Sequence, residues 1–351
     1  MTPIERLLVL LKEEDVTGIF IRGASSIRYF TGFTGDDSLL YLDCSHKIII
    51  TDSRYTLQVK NEAPECTVIE HKGGFASEIV KWKLCGCFAL DGDHFTFSEQ
   101  STLAVALPEV TWKNVNLAEL RQVKTEEELK NITRAVEISD QAFIQLMPDI
   151  HEGVKEAQLA AKLEYNMRKL GSEKTAFATI VASGCRSALP HGLATEKVLA
   201  KGDFVTFDFG AVYNGYCSDI TRTLVVGYAA DWQKEIYSIV LQANLLGESI
   251  LQAGVAGCQI DAQVRKFIAD KGYGAYFGHG LGHGVGLDIH EQPVLSARNI
   301  DKLLPINSVV TVEPGIYIPG KGGVRIEDTV VVTKEGCRVL TTVPKQLQEI
   351  S

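Results

Sequence analysis

The fourteen-residue stretch Gly278–Glu291 has the composition of a site that could do chemistry. Three of the chain's eight histidines, His279, His283 and His290, lie in it, and glycine occupies every second position of its first half. Glycine lets the backbone bend tightly and leaves room beside it, so these imidazoles are expected to face an open site. Imidazole is both a frequent metal ligand and an acid–base group near neutral pH. The stretch therefore predicts one wall of a metal site.

Two simpler assignments of this stretch fail on its residues. His279 and His283 have the spacing of a zinc-binding HExxH helix, but Gly280 stands where that motif needs glutamate. The density of glycine also disfavours a helix. No register of the stretch matches the GxGxxG pattern of a dinucleotide-binding loop.

A first pair of carboxylates is predicted to meet through a hairpin. Asn214-Gly215 is typical of a type I′ turn, because both residues tolerate a positive φ. A two-residue turn there places Asp219 opposite Gly210, so that Asp208 and Asp219 become diagonal neighbours on one face. Two carboxylates among apolar strand residues repel each other unless a cation lies between them.

A second pair, Glu313 and Glu327, repeats this arrangement. A hairpin loop centred on Gly320 places the two glutamates opposite each other. The segment from Gly315 to Lys321 also resembles a phosphate-binding loop, but Gly322 replaces the Ser or Thr that such a loop needs for magnesium, which excludes that function.

Together these residues make a ligand set of four carboxylates and one imidazole. Four carboxylates balance the charge of two divalent ions, and a centre of two ions about 3.5–4 Å apart activates water for attack on a carbonyl. Ligands rich in oxygen with one nitrogen favour manganese, iron, cobalt or zinc over copper. The predicted ligands are Asp208, Asp219, His283, Glu313 and Glu327.

The motifs that carry these residues resemble those of the pita-bread metallopeptidases, specifically the Xaa-Pro branch that comprises aminopeptidase P and prolidase. The similar segments cover residue 121 to the C-terminus, with a looser likeness of residues 1–118 to a creatinase-type N-terminal domain. The segments are Asp208-x10-Asp219, the glycine-rich stretch around His283, Thr311–Tyr317, Val324–Asp328, and Ala182–Gly192 with His191.

The resemblance implies hydrolysis of the peptide bond that precedes proline, with two divalent ions, most favourably Mn²⁺. It implies that Asp208 bridges or chelates one ion with Asp219, that His283 and Glu313 hold the other, and that Glu327 bridges them. Glu313 would also shuttle the proton. The remaining implied roles are substrate contact and oxyanion stabilisation by His191 and His290, and a lining role for His279 and Arg325.

One departure from the family pattern bears on the substrate. Prolidases restricted to dipeptides commonly carry an arginine soon after the His-Glu pair, whereas His290-Glu291-Gln292-Pro293 is followed here by Val294. Arg298 lies four residues further on. The sequence therefore favours an Xaa-Pro aminopeptidase, and a dipeptidase is the alternative; methionine aminopeptidase, a metal-free creatinase-like amidohydrolase or a metal-free binding module remain as further alternatives.

The expected fold class is α+β, in two domains. Short alternating helices and strands indicate a creatinase-type α/β domain over residues 1–120, which is expected to shape or gate a site rather than carry one. A capping box at Thr125–Glu128 opens the second domain, residues 121–351, with a pita-bread catalytic fold. Its helices are expected at about 155–170, 231–252 and 259–271, and its ligand strands at 204–209, 216–226, 309–318 and 323–333.

Bulk composition limits the possible partners and location. A net charge of −9 gives no general attraction to nucleic acid. No apolar run approaches the roughly 20 residues that span a bilayer, so no membrane association is expected. Eight scattered cysteines without a CxxC pair are typical of reduced thiols, which favours the cytoplasm. A homodimer is implied by the family resemblance alone.

Overall fold

A computed structural model describes residues 1–297 and 302–350 of the chain. The chain divides into two compact units, Met1–Arg121 and Gln122–Ser351. Each unit has its own hydrophobic core, so each is described by itself.

The first unit is a mixed six-stranded sheet with helices, as the alternating pattern predicted. The strand order is β4-β3-β2-β1-β5-β6. The inner strands β1, β2 and β3 pair antiparallel, and the remaining pairs are parallel. The elements in chain order are α1 Pro3–Glu13, β1 Gly18–Ile21, α2 Ala24–Thr31, β2 Ser38–Asp43, β3 Lys47–Thr51, α3 Thr56–Glu62, β4 Thr67–Glu70, α4 Phe75–Ile79, β5 Gly86–Asp91, α5 Phe97–Ala106 and β6 Val110–Val115.

The second unit contains four long helices, and two of their ends have the capping box and the terminal glycine that the sequence predicted. Thr125 caps the first of them through its hydroxyl in the predicted capping box with Glu128. Gly171 has a φ of +106°, as a residue that ends a helix in the left-handed region should. No helix among the described residues is long and apolar enough to cross a bilayer. The helices are α6 Glu126–Leu146, α7 Glu156–Lys169, α8 Asp231–Ile250 and α9 Gly257–Asp270.

Two sheets, each covered by two helices, form the core of the second unit. Helices α6 and α7 pack on the sheet that contains β7, β8 and β11. Helices α8 and α9 pack on the sheet that contains β12, β14 and β17. The strands are β7 Ile180–Ser183, β8 Phe204–Phe209, β9 Val212–Tyr213, β10 Tyr216–Cys217, β11 Ile220–Val226, β12 Gly282–Gly284, β13 Glu291–Leu295, β14 Val309–Val312, β15 Gly315–Ile318, β16 Gly322–Arg325, β17 Asp328–Thr333, β18 Gly336–Val339 and β19 Glu349–Ile350.

Three predicted strands are interrupted where a predicted ligand lies, so the prediction of continuous strands was wrong there. The breaks contain Asp219, between β10 and β11, Glu313, between β14 and β15, and Glu327, between β16 and β17. The Glu313 amide donates to the Leu281 carbonyl, and the Glu327 amide donates to the Thr221 carbonyl. At Glu313 and Glu327, backbone hydrogen bonds to segments that are distant in sequence therefore take the place of the strand ladder.

Candidate metal centre

The first hairpin brings Asp208 and Asp219 together in the predicted register. Asn214 and Gly215 form the turn with φ values of +44° and +76°. On the two longer strands that this turn connects, β8 and β11, Asp208 is the direct partner of Thr221. Asp219 lies two residues before Thr221 and is therefore diagonal to Asp208 on the same face. The predicted register is confirmed.

The second hairpin places Glu313 opposite Glu327. Gly320, with a φ of +73°, is the centre of the turn, and Ile318 pairs with Gly322 across it. Beyond the two glutamates the pairing resumes with β14 on β17 in the same register. The predicted hairpin is confirmed, and it carries two acidic side chains toward the first pair.

His283, on β12, contacts carboxylates from both hairpins. Its Nε2 atom lies 3.5 Å from Asp219 Oδ2 and 3.4 Å from Glu313 Oε1. Ligand atoms of Asp219, His283 and Glu327 all lie within 4.8 Å of one another, and no other such group of three occurs in the part of the chain that the structure describes. Asp208 and Glu313 line the same cavity.

The electrostatics of this cluster fit a bound cation. The Oδ1 atoms of Asp208 and Asp219 are buried and accept no hydrogen bond. Burial, followed by the charges of Glu327, Asp208 and Glu313, raises the pKa of Asp219 well above its usual range. Burial also raises the pKa of Glu313 to about 8. Acidic groups packed this closely are costly when ionised, and divalent cations remove that cost.

The hydrogen bonds of His283 leave one ring nitrogen for a metal. Its Nδ1 lies 3.1 Å from the Gly284 carbonyl, which makes Nδ1 the protonated nitrogen. The lone pair of Nε2 then faces the two carboxylates. Burial, together with neighbouring His290, lowers the pKa of His283 to about 4, so the ring is neutral near pH 7, as a metal ligand must be.

Glycine is needed at position 282 because a neighbouring strand lies too close for a side chain, and not because this position faces an open site. A Cβ atom there would lie 2.0 Å from the Thr311 carbonyl oxygen of the neighbouring strand. The Thr311 hydroxyl also accepts from the His283 amide and donates to Glu313 Oε1 at 3.3 Å. This glycine therefore brings the histidine strand close enough to β14 for both ligands to share one hydroxyl.

Arg325 organises one side of the centre. Its guanidinium donates to Asp208 Oδ2 at 2.6 Å, to Thr221 Oγ1 at 3.0 Å and to the Tyr317 hydroxyl at 2.8 Å. The Tyr317 hydroxyl in turn lies 2.8 Å from His279 Nε2. Burial, followed by the Arg325 charge, lowers the pKa of His279 to about 4, so His279 is a neutral acceptor for Tyr317. Arg325 and His279 thus line the site, with their polar atoms already hydrogen-bonded.

The cluster opens into a cavity of about 970 Å³. His191 and His290 line this cavity and are exposed to it. The His290 ring packs edge-on against His283, with ring centroids 4.3 Å apart. Apolar side chains complete the wall: Phe177, Ala178, Ile180, Leu193, Ile289 and Val294. The cavity combines a polar floor with apolar walls, as small-ligand sites do.

A buried carboxylate holds the loop that carries His191. Glu156, at the start of α7, is fully buried and accepts from the backbone and hydroxyl of Ser183 and of Thr195. It also accepts from Arg186, whose other amino group donates to the Leu193 carbonyl. The loop on both sides of His191 is therefore fixed to one helix N-terminus.

The family of the chain follows from a comparison with known proteins. Residues 130–334 match the model of metallopeptidase family M24, and residues 3–123 match that of the creatinase/prolidase N-terminal domain. The first match covers more than half of the chain. The chain belongs to metallopeptidase family M24. Members of this family use a dinuclear divalent-metal site.

Relatives of this M24 metallopeptidase match it along nearly its whole length. An uncharacterized peptidase, YqhT of Bacillus subtilis, is 41% identical over 98% of the chain and 99% of the relative. The solved structure of an Xaa-Pro dipeptidase from Bacillus anthracis is 44% identical with a TM-score of 0.94, covering 99% of both chains. An X-Pro aminopeptidase from Thermotoga maritima is 43% identical with a TM-score of 0.92, covering 100% of both. The predicted combination of a creatinase-type domain with a pita-bread catalytic domain is confirmed.

Some residues of this M24 site carried no predicted role. Tyr317 and Thr221 contact Arg325, and the Thr221 hydroxyl also donates to Glu327 Oε2 at 2.6 Å. Thr221 could have been found from the alternation of side chains, because it lies two residues after Asp219 and therefore faces the same side. Arg298, considered as a clamp for a substrate carboxylate, lies outside the described residues.

The metal-free M24 chain is expected to lose stability as pH rises from about 6.5 to about 8, above the range in which His279 and His283, with folded-state pKa values lowered to about 4, oppose the effect. Burial raises the pKa values of Asp219, Glu313 and Glu327 in the folded state. Between the unfolded and folded pKa values the folded chain holds more protons, so the free energy of unfolding falls with increasing pH. Urea denaturation at pH 6.5 and at pH 8 measures this, with a fall of at least about 1 kcal/mol expected. Glu327→Gln should flatten the profile, and a stability that rises over this range would contradict the account.

Proposed function

We propose that this chain is a dinuclear metallo-exopeptidase that hydrolyses the peptide bond preceding proline and releases the first residue of Xaa-Pro peptides. The observation that carries the proposal is the convergence of four carboxylates and His283 on one cavity. Relatives named Xaa-Pro dipeptidase and X-Pro aminopeptidase support the substrate class.

The proposed ligands are the five residues predicted from sequence: Asp208, Asp219, His283, Glu313 and Glu327. When bound, two divalent ions would supply Lewis acidity that polarises the scissile carbonyl and lowers the pKa of a water. Oxygen-rich ligation with one imidazole favours Mn²⁺, with Co²⁺, Zn²⁺ and Fe²⁺ as alternatives.

The chain's own side chains would perform the proton transfers. Glu313 is the proposed shuttle: a carboxylate oxygen accepts the proton of the attacking water and returns it to the leaving nitrogen. The nitrogen of a bond before proline is a tertiary amide, so its protonation is needed for it to leave as an amine. His191 and His290 would donate to the substrate and to the developing oxyanion from the cavity wall.

The charged groups of the cavity favour longer peptides over a strict dipeptidase. Arg325 donates to four acceptors, and Arg265 is paired with Asp261 and donates to the carbonyls of Phe277 and His279. Neither guanidinium of the described cavity wall is therefore available for bidentate capture of a free proline carboxylate. We accordingly propose an aminopeptidase, with prolidase activity as the second candidate on the strength of the similar dipeptidases.

One set of substrates separates the two candidates. The set is an Xaa-Pro dipeptide, its C-terminal amide and an Xaa-Pro-Xaa tripeptide, with an Xaa-Ala-Xaa tripeptide as control. An aminopeptidase should cleave the tripeptide and the amide with a kcat/KM at least equal to that for the dipeptide. Cleavage of the free dipeptide alone would establish the prolidase instead, and equal cleavage of the alanine control would contradict proline specificity.

Three further assignments stay proposals. We propose a creatinase-type domain over residues 1–120 and the catalytic domain over residues 121–351. A homodimer is proposed on family resemblance. A reducing, cytoplasmic location is proposed because all eight cysteines are free.

A further inference from the structure

We propose that a buried ion pair between Lys124 and Glu291 positions His290 for the reaction. The proposal rests on the proposed function, in which His290 contacts the substrate. Lys124 and Glu291 would touch neither substrate nor metal and would act through the backbone of the loop that carries His290.

The two charges meet in the interior of the second unit. Lys124 Nζ lies 2.6 Å from Glu291 Oε1, and the side chains are only 1% and 2% exposed. The Lys124 amide donates to the Asn307 carbonyl, and Lys124 directly precedes Thr125, the capping residue of α6. The ammonium therefore enters the interior from a backbone that is fixed on both sides.

Stability alone does not account for an ion pair at this depth. Removing two charges from water costs several kcal/mol per ion, and a buried pair is often no more stabilising than apolar side chains of similar volume. A pair of opposite charges at hydrogen-bond distance does fix the direction of both side chains. Which part of the chain Lys124 fixes therefore depends on where Glu291 lies.

Glu291 lies inside the loop that presents His290. It follows His290 directly, begins β13 and pairs with Gly284 of the histidine strand. A Cβ atom on Gly286 would lie 2.3 Å from Glu291 Oε1, so the turn closes directly over the carboxylate. The carboxylate thus fills the interior of the loop, while His290 lines the cavity and packs on His283.

Without Lys124, the Glu291 carboxylate loses the ammonium group 2.6 Å away, and its burial becomes more costly. The carboxylate can approach water only if the loop opens at Gly286, and that movement displaces His290 from the wall of the cavity. The ligand set is contributed by other strands and is expected to keep its metal. Loss of Lys124 should therefore resemble loss of His290 rather than loss of metal.

A double-mutant cycle between Lys124 and His290 tests this inference. Lys124→Met should lower kcat on an Xaa-Pro tripeptide at least tenfold, with KM changed less than twofold and metal content unchanged. In a His290→Ala background the same substitution should change kcat less than twofold. Equal losses in both backgrounds would show that Lys124 does not act through His290 and would overturn the proposal.

The matched control is Asp140→Asn, which alters a buried charged residue on α6 that binds Thr342 and does not line the cavity. Its kcat should stay within twofold of the parent. If Lys124→Met does not fold, the charge-free pair Lys124→Met with Glu291→Gln, which leaves no buried charge to move toward water, should fold and keep kcat within threefold of the parent. A tenfold loss of kcat in this pair would overturn the proposal.

A readout without substrate separates this inference from the proposed function. The imidazole C–H resonance of His290, assigned with His290→Ala, should shift or broaden in Lys124→Met and stay in place in Asp140→Asn. An unmoved resonance would overturn the positioning role. Failure of the parent enzyme to cleave any Xaa-Pro peptide would instead overturn the proposed function, and a displaced resonance would still support the positioning of His290.

Discussion

Replacing His283 with alanine, or Asp219 with asparagine, is expected to lower kcat for an Xaa-Pro tripeptide by at least about a thousandfold. Each change removes one ligand atom of the group whose members lie within 4.8 Å of one another. Asp219→Asn also leaves a neutral amide where the remaining carboxylates need a cation between them. Steady-state kinetics at saturating Mn²⁺, with metal analysis of the same samples, measures the effect.

Two matched variants distinguish loss of a ligand from general damage. His151→Ala removes an exposed histidine that does not line the cavity, and Asp140→Asn neutralises a buried carboxylate elsewhere. Both should keep kcat within about threefold of the parent, with all four variants unfolding cooperatively. Near-normal turnover by His283→Ala or by Asp219→Asn would refute the assignment of the metal ligands.

Removal of metal is expected to lower the thermal unfolding temperature by at least about 8 °C. An ion present at a thousand times its Kd contributes about 4 kcal/mol to the folded state. For a large domain about 1 kcal/mol corresponds to roughly 2 °C or more. Asp219 and Glu327 are only 5% and 2% exposed, so water replaces little of the lost counter-charge. Differential scanning calorimetry with and without a chelator measures the shift.

A ligand variant supplies the control for chelation. Glu327→Gln reduces the negative charge of the centre, so its unfolding temperature should depend less on chelator than that of the parent. Added Mn²⁺ should restore the parent's original value. An unchanged unfolding temperature after complete metal removal would show that the carboxylate cluster is stable without cations.

Turn chemistry explains why much of the site could be predicted from sequence. Asn214-Gly215 and Gly320 fix two hairpins, and each hairpin fixes the register of its acidic residues. Strand alternation then places those residues on one face. The prediction needed only short-range rules, because each carboxylate pair lies within one hairpin.

Long-range contacts explain what the sequence could not show. The breaks at Glu313 and Glu327 coincide with backbone hydrogen bonds to Leu281 and Thr221, which are distant in sequence. Lys124 and Glu291 are separated by 167 positions, and no local pattern relates them. Likewise, Gly282 signals close packing only once Thr311 of β14 lies beside it.

Metal analysis during reconstitution tests the central claim most directly. The metal-free chain should be inactive on an Xaa-Pro tripeptide, and activity should rise with added Mn²⁺ until two ions are bound per chain, as counted by mass spectrometry of the metal. Full activity without metal, or saturation with one ion per chain, would contradict a centre built from Asp208, Asp219, His283, Glu313 and Glu327.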